Sequence, residues 1–219
     1  MDKQTIKIVC FGDSLTYGYG VLEKDIFSYQ LSENLKKIYP KIPCEVINSG
    51  INGQTTREAL ARLQGSVLQR KPQIVLILFG SNDSALQEGN YRTPIEYEQN
   101  MVQIIQQILS LSTHHAFASG KTIPILLTPP SMVDTDFYPY TTNTRLQVYG
   151  DIIKKLSATY HLPCVDFFSI LQSITDTVAY EACFQYDGVH LSQKGYALLY
   201  PYLQDKVLSI LQQDPFFQK

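Results

Sequence analysis

Short runs of consecutive apolar residues alternate along the chain with longer stretches in which apolar positions recur every three to four residues. The short runs cover residues 5–11, 45–47, 73–79, 122–127 and 163–167. Near-continuous hydrophobicity over so few positions, rich in Ile, Val and Leu, predicts strands covered on both faces, as in a parallel sheet. The longer stretches predict helices over residues 27–39, 56–69, 95–111, 145–160 and 193–212. Cap signals support these bounds. Thr93-Pro94-Ile95-Glu96 and Thr55-Thr56-Arg57-Glu58 both have the Thr-x-x-Glu form of a capping box, and Ser192 stands where it can cap the last helix. No repeat, charge run or Gly/Ser linker interrupts the alternation. Five βα units in succession predict one doubly wound α/β domain over residues 1–219, a three-layer α/β/α sandwich on a five-stranded parallel sheet.

Composition narrows what such a domain does. A formal charge of −2 and a pI near 6.1 give no electrostatic case for binding nucleic acid or an anionic membrane surface. No run approaches the roughly 18 apolar residues needed to span a bilayer. Residues 1–5 lead into a strand without the apolar segment of a secretory signal. Cys10, Cys44, Cys164 and Cys183 are scattered with no Cys-x-x-Cys pair, which fits free thiols in a reducing compartment. The expectation is a cytoplasmic enzyme or binding domain acting on a small molecule.

In a doubly wound sheet the ligand site lies at the carboxyl ends of the strands. Gly12-Asp13-Ser14 follows the first strand, and Asn48-Ser49-Gly50-Ile51-Asn52-Gly53 the second. Gly80-Ser81-Asn82-Asp83 follows the third, Thr128-Pro129-Pro130 the fourth, and a long stretch after the fifth ends at Asp187-Gly188-Val189-His190. Gly12-Asp13-Ser14 admits three readings: a tight turn, an anion cradle, or a nucleophile raised on the turn. The cradle is disfavoured because neither phosphate-binding glycine pattern is present. Asp187 and His190 stand three apart, so in a turn the carboxylate reaches Nδ1 and leaves Nε2 free as a base. Asn82 reads as a turn cap or a carboxamide donor, and Asp83 as a partner of nearby backbone amides. His161 reads as a helix C-terminal cation or a packed surface residue. His114-His115 do not complete a metal set. A nucleophile, a base, an orienter for the base and donors for an oxyanion together form the inventory of acyl transfer.

Taken in order, Gly-Asp-Ser-Leu at 12–15, the Gly50 loop, Gly80-Ser81-Asn82-Asp83 and Asp187-x-x-His190 resemble the GDSL, or SGNH, family of esterases and lipases. The flanking residues of Phe79–Ser84, Thr128-Pro129-Pro130 and Asp187–Ser192, with Lys194-Gly195, are most similar to its isoamyl acetate-hydrolysing esterase branch. The resemblance implies a flavodoxin-like SGNH hydrolase fold. It implies Ser14 as nucleophile, His190 as general base and acid, and Asp187 as orienter. The implied oxyanion hole comprises the Ser14 and Gly50 backbone N–H groups and the Asn82 carboxamide, with no metal or organic cofactor. The implied substrates are small, short-chain carboxylic esters. A lysophospholipase or acyl-thioesterase is the alternative within the family, and a non-catalytic ligand-binding domain the remote one. Residues 131–142, with Phe137, Tyr138 and Tyr140, read equally as a pocket wall or a packed surface loop. Nothing in the sequence predicts an oligomeric state.

Overall fold

The computed structural model describes residues 5–111, 120–136 and 138–217; His114, His115 and Phe137 lie outside the described residues. Five strands form one sheet: β1 (Ile6–Gly12), β2 (Cys44–Gly50), β3 (Ile74–Leu78), β4 (Ile123–Leu127) and β5 (Cys164–Val165). Their order is β2-β1-β3-β4-β5 and every pair is parallel, as the apolar runs predict. β1 alternates its side chains between two cores. Ile6, Ile8 and Cys10 point into one, and Val9 and Phe11 into the other.

The first core is closed by α2 (Phe27–Ile38) and α8 (Gln193–Gln213), through Leu31, Leu35, Leu199, Leu203 and Val207. The second is closed by α3 (Thr56–Ser66), α4 (Pro94–Leu109) and α5 (Asn143–Tyr160), through Leu63, Met101, Ile104, Tyr149 and Ile153. Each fully buried Leu or Ile of these faces contributes about 1.5–3 kcal/mol over an exposed one. Three layers result, with the sheet in the middle.

Several bounds differ from the sequence expectation, each for a local reason. β5 is two residues long because Asp166 ends it by capping a short helix, α6 (Phe167–Gln172), accepting from the Ser169 N–H at 3.1 Å. β2 extends to Gly50, since its whole length pairs with β1 from Ile6↔Cys44 to Gly12↔Gly50. At Thr55 both halves of the capping box form. At Thr93 only one does: Thr93 accepts from the Glu96 N–H, while the Glu96 carboxylate goes to the Arg57 guanidinium at 2.7 Å. His161 ends α5 in the left-handed conformation. Two further short helices, α1 (Ser14–Tyr17) and α7 (Thr177–Glu181), escape the periodicity because each is about one turn long.

The register matters most for function. Gly12 pairs with Gly50 and Leu78, Leu78 with Leu127, and Leu127 with Val165. All five strands therefore end at one level, and the loops that follow them share one rim of the sheet.

Candidate active site

Ser14 is the first residue of α1, directly past the end of β1. Asp13 caps that turn, its Oδ1 accepting from the Leu15 N–H at 2.9 Å. Gly12 is demanded by close approach: a Cβ there would lie 2.0 Å from Thr16 Oγ1 and 2.6 Å from the Leu78 carbonyl oxygen. Gly50 is demanded in the same way, with a Cβ falling 2.2 Å from the Tyr17 backbone nitrogen. The ends of β1 and β2 can thus lie against the Ser14 turn only without side chains.

The loop before α8 brings up the second half. Asp187 Oδ1 accepts from the backbone N–H groups of Val189 at 3.0 Å and His190 at 2.9 Å, which folds the turn. Its Oδ2 lies 2.6 Å from His190 Nδ1, and His190 Nε2 lies 3.0 Å from Ser14 Oγ across the site. Gly188 sits at φ +75°, and a Cβ there would meet the Val133 carbonyl at 2.4 Å. Burial would raise the Asp187 carboxyl. The bonds from His190 and the two backbone N–H groups outweigh it and hold Asp187 below the usual carboxylate range.

Asn82, after β3, turns its carboxamide toward the same place. Its Nδ2 donates to the Gln54 carbonyl at 3.0 Å and, at 3.4 Å, to Asp13 Oδ2. Asp83 points away from the imidazole. It accepts from the Thr56 N–H at 3.0 Å and the Thr56 hydroxyl at 2.5 Å, tying the β3 loop to the start of α3. Burial pushes Asp13 up to about 7 and Asp83 up to about 6. The Gly50 N–H donates to Asn48 Oδ1 at 3.0 Å. Asn48 is itself fixed by donating to the Thr16 carbonyl at 2.9 Å.

A cavity of about 190 Å³ opens between these groups, lined by Ser14, Leu15, Tyr19, Asn52, Gly53, Ser81, Asn82, Gln87, Asn90, Tyr138, Val189 and His190. The described residues of 131–142 divide between the cavity and the histidine turn. Tyr138 walls the cavity, while Val133 and Thr135 brace the histidine turn by donating to the Gly188 and Asp187 carbonyls at 2.9 and 3.0 Å. Of the five residues expected at the site, Ser14, Asn82 and His190 line the cavity and Asp187 stands behind His190, whereas Gly50 ends β2 against the Ser14 turn and Gly53 is the glycine on the cavity wall.

Two others escaped the sequence reading. The Tyr19 ring packs on the His190 imidazole with centroids 4.5 Å apart. The Gln185 carboxamide donates to the carbonyls of Tyr19 at 2.6 Å and Leu191 at 3.0 Å, stapling the two loops. Tyr19 follows the motif by five residues and Gln185 precedes Asp187 by two, so only their nearness to the motifs marked them. Among the described residues no group of three or more His, Cys, Asp and Glu is placed to hold a metal ion, and no helix is long and apolar enough to cross a membrane.

A five-stranded parallel sheet flanked by helices, with a serine at the end of β1 and a histidine in the loop before the last helix, is the α/β architecture of the SGNH class of hydrolases. The chain belongs to the GDSL-like lipase/acylhydrolase family, whose sequence model matches residues 10–198. It is 29% identical to the uncharacterized lipoprotein YqeF of Bacillus subtilis (strain 168), over 90% of this chain and 88% of that one. It is 27% identical to the isoamyl acetate-hydrolyzing esterase 1 homolog of Homo sapiens, over 93% and 84%. The crystal structure of the lipase/acylhydrolase from Enterococcus faecalis superposes with a TM-score of 0.77 at 30% identity, covering 93% of this chain and 96% of that one. With this family and esterase-named relatives, the chain is a carboxylic-ester hydrolase.

Proposed function

We propose that the protein is a serine esterase that cleaves small, short-chain carboxylic esters through a Ser14-His190-Asp187 triad and an acyl-enzyme intermediate. The observation that carries this reading is the unbroken chain of contacts from Asp187 Oδ2 through both ring nitrogens of His190 to Ser14 Oγ, at 2.6 and 3.0 Å.

In this mechanism Ser14 Oγ attacks the ester carbonyl carbon while His190 Nε2 takes the hydroxyl proton. Asp187, ionised across the neutral range, holds the Nδ1–H tautomer and stabilises the imidazolium. The carbonyl oxygen becomes an oxyanion that receives the Ser14 N–H, the Gly50 N–H and the Asn82 carboxamide. The tetrahedral adduct collapses, the C–O bond to the alcohol breaks, and Nε2 returns the proton to the departing oxygen. A water then attacks the acyl-enzyme with the same base, and its collapse releases the acid and restores Ser14.

Two donors are engaged before substrate arrives. Asn82 exchanges the longer of its contacts, the one to Asp13, for the oxyanion. The Gly50 N–H exchanges Asn48 Oδ1 for it. A helix dipole adds little, because α1 is four residues long and its macrodipole is correspondingly small. Stabilisation of the oxyanion therefore falls to the individual hydrogen bonds.

The cavity volume supports small acyl groups. About 190 Å³ is the liquid volume of roughly six waters, below the ~300 Å³ at which pockets for drug-sized ligands begin. The human relative's name, an isoamyl acetate-hydrolysing esterase homolog, supports the same size. Four free cysteines, two of them buried, support a reducing, cytoplasmic setting. One sheet shared by both cores supports reading the chain as one catalytic domain.

Turnover of p-nitrophenyl esters from acetyl to palmitoyl tests the reading. Acetyl and butyryl esters should give the highest kcat/KM, falling at least tenfold by decanoyl. A maximum at long chains would replace the short-ester reading with the lysophospholipase or thioesterase one, and no turnover at any length would remove the esterase mechanism.

A further inference from the structure

Arg62 projects from α3 under the rim of the sheet, half-buried, and no step of the proposed mechanism uses it. Its guanidinium spreads over three acceptors. Nη2 donates to the Gly12 carbonyl at 2.9 Å, Nη1 to the Ser49 hydroxyl at 3.2 Å, and Nε to the Gln54 side-chain carbonyl. The guanidinium also lies over the Phe11 ring, with Cζ 4.4 Å from the centroid.

Each acceptor stands beside one of the proposed oxyanion donors. Gly12 ends β1 two residues before Ser14. Ser49 immediately precedes Gly50. Gln54 supplies the backbone carbonyl that accepts from Asn82 Nδ2 at 3.0 Å. The Gly12 carbonyl accepts also from the Ile51 N–H at 3.1 Å, so the end of β1 is fastened twice to the segment after β2. The three donors come from three strand ends separated by many residues, and one rigid side chain binds all three segments.

We propose that Arg62 is a positioning residue, a clasp that holds the Gly12, Ser49 and Gln54 segments so that the Ser14 N–H, the Gly50 N–H and the Asn82 carboxamide converge on one point. The inference rests on the esterase mechanism proposed above. Two features distinguish the clasp from an ordinary stabilising arginine. Among the described residues Arg62 forms no salt bridge; its bonded partners are all neutral oxygens of the site's own loops. Its planar fork, stacked on Phe11, meets three acceptors in fixed directions, which the single ammonium of a lysine cannot do. Burial lowers the guanidinium to about 10, with Asp13 opposing that shift, so it keeps its positive charge across the neutral range.

The consequence is kinetic. A donor displaced by about 1 Å costs on the order of 10² in rate, and loss of one oxyanion donor about 10²–10³. Substrate in its ground state does not draw on those donors as the oxyanion does, so the loss falls on kcat and spares KM.

Arg62→Met and Arg62→Lys, assayed on p-nitrophenyl acetate and normalised by fluorophosphonate titration of active sites, test this. Arg62→Met should lower kcat about 10²-fold with KM within about threefold of wild type. Arg62→Lys, which restores charge and one donor, should recover only part of that, remaining about tenfold down. The inhibition constant of butylboronic acid, which forms a tetrahedral anion on serine, should rise in step with the loss of kcat. A residue that only stabilised the fold would lower the melting temperature and leave titrated kcat and boronate affinity unchanged. That result, or a raised KM with kcat intact, would overturn the inference. Should Arg62→Met fail to fold, Arg62→Lys carries the same comparison. A wild type inactive on every ester would instead remove the mechanism on which the inference rests, and an active wild type with unaffected variants would remove the clasp alone.

Discussion

On one side of Ser14, Asp187 and His190 stand three residues apart in a single turn; on the other, the three proposed oxyanion donors come from the ends of β1, β2 and β3. The Asp187-His190 turn builds itself. Asp187 accepts from two N–H groups of its own turn and from the imidazole, and outside help comes from Gln185, Val133 and Thr135. The oxyanion side depends on remote agreement. Gly12 and Gly50 must both lack side chains, the strands must end in register, and Asn48 holds the Gly50 N–H while Gln54 and Asp13 hold the Asn82 carboxamide. A locally built half tolerates changes elsewhere in the fold, whereas an assembled half fails when any contributing segment shifts.

The largest effect expected from disturbing this contrast falls on the local half. Asp187→Asn keeps the shape of the turn but favours the wrong imidazole tautomer, and kcat should fall by about 10³–10⁴. A loss under tenfold in titrated enzyme would show that the turn orients His190 without its carboxylate. Next in size comes the assembled half. Asn82→Ala should lower kcat by about 10²–10³ with KM nearly unchanged. A raised KM with intact kcat would make Asn82 a substrate-binding residue instead.

Asp83→Asn should act on the frame rather than the chemistry. Asp83 fastens Thr56 at the head of α3, and losing about 1 kcal/mol there should lower the melting temperature by roughly 2–4 °C. Titrated kcat should stay within about threefold. If it fell further than in Asp187→Asn, the roles of the two aspartates would be reversed.

A further effect, on stability and not on rate, is its pH dependence. Burial holds Asp13 at about 7 and Asp83 at about 6, both above the unfolded value of 3.8. Between about pH 4 and 7 the folded chain therefore binds more protons than the unfolded one. Their contribution to stability is fullest near pH 4 and is lost as pH rises toward 7. Asp13→Asn keeps an acceptor for the Leu15 N–H and removes the larger titration. Its urea midpoint should fall less between pH 4 and 7 than that of wild type; an equal fall would place the titrating group elsewhere.

The same contrast explains what the sequence disclosed. A three-residue spacing carries its geometry with it, so the contact between Asp187 and His190 was legible. The parallel sheet was legible too, because strands buried on both faces must be apolar throughout, and the ends of those strands locate the site. Arg62, Gln185 and Tyr19 were not legible. Each acts through a contact across the fold, and a charged or polar residue in a helix or loop looks like surface until its partners are known. The six-residue helix α6 stayed hidden for another reason: Asp166 reads as part of a strand run until its side chain is seen to cap the next turn.

The central claim is that Ser14 is a nucleophile activated by His190, and covalent labelling tests it most directly. A fluorophosphonate incubated with wild type, Ser14→Ala and His190→Ala should be mapped by mass spectrometry and followed over time. One adduct per chain on Ser14 in wild type, none in Ser14→Ala, and labelling slowed by at least about 10²-fold in His190→Ala, in line with a lost general base, is the predicted result. An adduct on another serine, or equal labelling rates with and without His190, would contradict it.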